Sequence, residues 1–82
     1  MTRMATRVLA SFEDEFHERC VDIFVRADGT FGFEEFRSES DGDSRWQPLH
    51  RYARLLFGSG EQALDEARAR IAWLGDSGPW RW

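Results

Sequence analysis

Two short runs of alternating apolar residues joined at Asp28-Gly29, and one capped amphipathic segment starting at Ser59, predict an α+β domain. The expected architecture is an antiparallel sheet of three to four strands, a hairpin-led meander, with one C-terminal helix packed on one face. The corresponding division of the chain is an N-terminal segment at 1–19, partly ordered or a short helix, one α+β domain at 20–75, and a Trp-rich tail at 76–82.

The hairpin occupies residues 20–37, CVDIFVRADGTFGFEEFR. A two-residue turn at Asp28-Gly29 would set Val21, Ile23 and Val25 on a face with Gly32, Glu34 and Phe36, a poor apolar match. A three-residue loop, Ala27-Asp28-Gly29, with Gly29 left-handed in a bulge, moves the register by one residue. Val25 then faces Phe31, Ile23 faces Phe33 and Val21 faces Glu35. A one-residue slip exchanges the two faces, so the hydrophobic pattern selects the bulged register. The reverse face carries Cys20, Asp22, Phe24, Gly32, Glu34 and Phe36, with Phe24 lying over the bare backbone of Gly32.

Residues 28–36, DGTFGFEEF, imitate the second half of an EF-hand calcium loop, with Glu35 in the place of the bidentate ligand. Counting back from Gly29, the first and third ligand positions fall on Phe24 and Arg26, which offer no oxygen to a hard cation. Calcium binding is not expected here. Asp41 and Asp43 bracket Gly42 in the polar cluster 38–44, but further oxygen ligands at loop spacing are missing, and a solvated hairpin tip is the better reading.

The N-terminal segment has Val8, Leu9, Phe12 and Phe16 at helical spacing, with Ser11 and Asp14 as caps, which predicts a short helix or ordered coil. Its Phe12 and Phe16 are expected to shield the second face of the hairpin. After the polar cluster, residues 45–49 return as a third strand of the hairpin-led sheet, and Pro48 places that strand on an edge or ends it. Residues 51–57 fit both periodicities, and their short span between Pro48 and Gly58 favours an extended segment. From Ser59 the pattern is clear. Ser59 is an N-cap with Gln62 as its capping-box partner, and Leu64, Ala67, Ile71 and Leu74 form one stripe. Gly75 ends the helix and Pro79 prevents its resumption.

At 82 residues the chain has a small core, and its many aromatic residues, four Trp among them, are how so short a chain gathers apolar area. One Cys permits no internal disulfide, so a reducing cytoplasm is the expected compartment. No apolar run approaches the ~18–20 residues of a membrane span and no signal-peptide core follows Met1, so no membrane association is expected. All eleven basic residues are Arg, a codon signature of GC-rich bacterial genomes.

The hairpin and third strand, Asp28-Gly29 at the first turn, and the FxSxEQA run from Phe57 to Ala63 resemble small uncharacterised bacterial strand-strand-strand-helix domains, including YegP-like ones. The resemblance spans residues 20–74 and implies a fold without a reaction. The strand order also resembles the arm-type DNA-binding domain of tyrosine recombinases, which reads DNA with a three-stranded sheet. That family's sheet face is rich in basic and polar residues, and Asp22, Glu34 and Phe36 depart from it here.

Catalytic chemistry has little to stand on. His17, Cys20 and His50 are the only Cys and His residues, one short of a zinc set. Cys20 begins a strand and reads as a small core hydrophobe, and Glu34 and Glu35 alternate across a strand, so they cannot pair as acid and base. No enzyme, cofactor or metal is expected. The leading expectation is a non-enzymatic protein-interaction module that binds a protein partner or forms a homodimer. Phe24, Phe36, Trp46, Trp80 and Trp82 are its candidate contact residues. The alternative is a nucleic-acid-binding accessory domain using Arg45, Arg51, Arg54 and Arg81, which the net charge of −4 disfavours.

Overall fold

The hydrophobic alternation of residues 20–37 closes as a hairpin in the bulged register. The computed structural model describes residues 6–38 and 46–75. In chain order the elements are β1 (Thr6–Glu13), β2 (Arg19–Arg26), β3 (Phe31–Ser38), β4 (Trp46–Pro48), α1 (Gly60–Arg70) and α2 (Ala72–Gly75). The strands form one antiparallel sheet in the order β1-β2-β3-β4. Val25 pairs with Phe31, Ile23 with Phe33 and Val21 with Glu35. Gly29 has φ 89°, a conformation that favours glycine, and its N–H closes the turn on the Arg26 carbonyl at 2.9 Å. The N–H and hydroxyl of Thr30 donate to the Asp28 carboxylate and hold it below the usual carboxylate range.

The N-terminal segment is a strand rather than a short helix. Its pairing with β2 contains a β-bulge between Val8 and Ala10. The extra residue, Leu9, interrupts the period of two, so the apolar residues fall at spacings that imitate a helix. Val8 pairs with Phe24 on one face, whereas Ala10 and Phe12 pair with Ile23 and Val21 and join the core on the other. Phe12 therefore does not shield the second face of the hairpin, and Phe16 is 70% exposed at the β1–β2 turn.

The core lies between the sheet and α1. Val21, Ile23 and Phe33 from the strands meet Ala63, Leu64, Ala67, Ile71 and Leu74. The cap is as read from the sequence: Ser59 Oγ accepts the Gln62 N–H at 3.1 Å, and the Gln62 side chain reaches back to the Gly58 N–H at 3.0 Å. Ser59→Ala should lower stability by about 1 kcal/mol, read as a lower thermal midpoint. An unchanged midpoint would show that the cap contributes nothing. The helix does not run to Gly75. It ends at Arg70, Ile71 is extended, and α2 follows, an arrangement in which Ile71 and Leu74 are both buried.

Residues 51–57 are not a strand. The segment turns, with the Leu55 N–H donating to the Tyr52 carbonyl at 3.0 Å, and only Phe57 pairs with the sheet, as an isolated bridge to Phe31. Tyr52 stacks on Phe33 with ring centroids 4.9 Å apart, and Phe57 lies 5.8 Å from the same ring. Among the described residues, no helix is long and apolar enough to cross a membrane.

Candidate interaction surface

The pleat sends Val8, Ser11, Cys20, Asp22, Phe24, Gly32, Glu34 and Phe36 to the face of the sheet opposite α1. The register carries Pro48 and Trp46 onto the same face, opposite Phe36 and Ser38. Phe24 and Phe36 are half-buried there, whereas Val8 is 52% and Trp46 36% exposed. The structure thus brings three of the five candidate contact residues, Phe24, Phe36 and Trp46, onto one face. Trp80 and Trp82 lie outside the described residues.

Of the charged groups on this face, Asp22, Arg26 and Glu34 are bonded within the sheet and its loops, whereas Glu13, opposite Cys20, is exposed and pairs with His17. A Cβ at Gly32 would lie 2.6 Å from Arg26 Nη2 and 3.0 Å from a Phe24 ring carbon, so those two side chains cover the bare backbone as Phe24 was expected to. The Arg26 guanidinium sits 4.9 Å from the Phe24 ring centroid and donates to the carbonyls of Phe31, Ala53 and Leu55. Asp22 accepts hydrogen bonds from Ser11 Oγ and, at 3.5 Å, from the Cys20 thiol. Burial, then the Asp22 carboxylate, pushes that thiol up to about 12, so it stays protonated and behaves as the packing residue its sequence context suggested.

Glu34 shows how the sheet edge is closed. β4 is only three residues long, and beyond it, among the described residues, the edge of β3 away from β2 is met by the Leu49 N–H on the Glu35 carbonyl at 2.9 Å and by the Phe31–Phe57 bridge. There the Glu34 carboxylate accepts the N–H groups of Glu35 (2.9 Å), Arg51 (3.2 Å), Tyr52 (3.1 Å) and Ala53 (2.9 Å). The 50–54 loop is therefore held by two ions. Glu34 satisfies its donors, and Arg26 satisfies its acceptors from the hairpin side. On the helix face, the buried Glu35 carboxylate accepts from Trp73 Nε1 at 2.9 Å and from Arg19 at 3.3 Å, with Arg51 3.9 Å away.

The loop presents His50, Arg51, Ala53 and Arg54 around a cavity of about 430 Å³. Of the four candidate arginines, Arg51 and Arg54 are thus brought together. Arg45 and Arg81 lie outside the described residues. Among the described residues, no group of three or more His, Cys, Asp or Glu is placed to hold a metal ion. Reasoning from sequence missed Arg26 and Glu34 as organising residues. Nothing in the sequence set them apart, because the same hairpin also carries Asp22, Asp28, Glu35 and Arg37. No protein-family model matches the chain, and comparisons with curated proteins and with solved structures returned no significant match.

Proposed function

We propose that this domain is a non-enzymatic protein-interaction module that associates with a second copy through the sheet face opposite α1. One observation carries the reading. That face exposes Val8 and Trp46 beside Phe24 and Phe36, while its charged side chains Asp22, Arg26 and Glu34 are already bonded within the fold and Glu13, at its margin, is paired with His17. Burying a face normally costs the desolvation of its polar groups. Here those groups have internal partners before association, so apolar burial meets little opposition. A second copy is the natural occupant because an isologous contact matches this apolar surface with another like it.

Nucleic-acid binding has less support. Arg51 already leans on the Glu35 carboxylate, and the net charge of −4 works against the phosphate neutralisation on which such binding depends. The resemblance to YegP-like domains rests on element order and turn motifs and adds no chemistry to either reading.

The test is light scattering over a dilution series of the full chain. Association that falls on dilution is expected. Val8→Arg and Trp46→Glu, both at exposed positions, should shift it to monomer without lowering the melting temperature. A parent protein that stays monomeric at every concentration would overturn the reading.

A further inference from the structure

The outer face is too small to make a stable dimer alone. The three long strands have eight residues each. At ~3.3 Å per residue and ~4.8 Å between strands, these three strands offer a flat footprint of roughly 14 by 26 Å, about half of the ~800 Å² per partner in a standard interface, to which Trp46 and Pro48 of the short β4 add a little. Among the described residues, two features at the rim match each other and add contact area.

We propose that the dimer is completed by a reciprocal contact in which Phe16 of one copy, carried on the 13–18 turn, seats in the cavity of the 50–54 loop of the other. This rests on the sheet-face association proposed above and adds two regions to it. Phe16 is 70% exposed, yet its turn is firmly built. The Asp14 N–H donates to the Arg19 carbonyl and the His17 N–H to the Asp14 carbonyl, both at 3.1 Å. The Asp14 carboxylate accepts the N–H groups of Glu18 and Arg19, and Glu13 pairs with His17 at 2.6 Å. An apolar ring held out on a rigid turn loses little entropy when it is buried in a partner.

The charges around Phe16 complement the cavity. Asp14 is spent on backbone donors and Glu13 on His17, which leaves Glu15 and Glu18 of the same turn exposed. The cavity of about 430 Å³ has room for a benzyl side chain, and it is lined by His50, Arg51, Ala53 and Arg54, so an entering ring meets guanidinium groups that favour an aromatic face. Its loop is fixed by Glu34 and Arg26, so it too is formed before association. A two-fold axis makes the contact twice, closing the dimer without free ends. Phe16 supplies the buried area, and the exposed charges supply orientation and selectivity.

The experiment follows association of the full chain by light scattering and sedimentation for Phe16→Ser, Arg54→Glu and Glu15→Arg, singly and with the last two mixed in equal amounts. All three positions are exposed, and unchanged melting temperatures verify the fold. Each single variant should raise the dimer dissociation constant about tenfold or more. The mixture should recover most of the parent association, because a heterodimer of Arg54→Glu with Glu15→Arg opposes unlike charges at both contacts. If the three variants associate like the parent while Val8→Arg does not, this contact is wrong and the sheet-face reading stands. If the parent never associates, both fall. Should Arg54→Glu abolish binding of a short single-stranded oligonucleotide and leave association unchanged, the cavity is a phosphate site and the proposal is overturned.

Discussion

Glu34→Ala is expected to lower stability by about 3–5 kcal/mol, because a buried or part-buried backbone donor left without its acceptor costs about 1–3 kcal/mol and several are left at once. Glu34 is 4% exposed, and its carboxylate is the acceptor for four backbone N–H groups, of Glu35, Arg51, Tyr52 and Ala53. Alanine leaves those donors without a partner at a place where β4 has already ended. The whole domain can be expected to have a stability of roughly 4–12 kcal/mol at its length, so the variant should sit close to unfolding. Glu34→Gln keeps one acceptor oxygen and should lose about half as much. Urea unfolding followed by far-UV circular dichroism measures both. A loss below about 1 kcal/mol for Glu34→Ala would mean that water replaces the carboxylate and that the loop is held by Tyr52 and Phe57 alone.

What could be read in the chain divides along a physical line. The hairpin register was legible because burial on one face fixes a period of two and because Gly29 tolerates the left-handed turn. The α1 start was legible for the same kind of reason, since Ser59 and Gln62 act on neighbours three or four residues away. β1 was misread because the bulge at Leu9 shifts the phase of its apolar residues, and periodicity has no means of marking an extra residue. The 50–54 loop was misread because nothing local shapes it. Its donors are satisfied by a carboxylate 17 to 19 residues earlier in the chain, and its acceptors at Ala53 and Leu55 by Arg26, 27 and 29 residues earlier. Of the candidate surface, Phe24 over Gly32 followed from the register. That its charges are internally bonded did not, because the same residues at an exposed strand face would simply be solvated.

Phe33→Ala is expected to lower stability by about 3–5 kcal/mol, the usual range for a buried phenylalanine truncated in a core that cannot collapse. Phe33 is fully buried at the centre of β3, between Ile23 across the hairpin and the helix residues of the core. Collapse is opposed on both sides. The sheet is pinned by its ladder, and Tyr52 and Phe57, which pack on the Phe33 ring, are held in place by Glu34 and by the bridge to Phe31. Phe33→Leu keeps most of the volume and should lose less than about 1.5 kcal/mol, which separates the cavity from any general intolerance of the site. The same geometry predicts coupling. Once Phe33 is truncated, the loop has lost the ring that Tyr52 stacks on, and the Glu34 carboxylate holds a segment with less to position. The double variant Phe33→Ala/Glu34→Gln should therefore lose less than the sum of its singles, by about 0.5 kcal/mol or more in a double-mutant cycle. Strict additivity would show that the aromatic stack and the carboxylate hold the loop independently, and that the loop is two local attachments and not one cooperative unit.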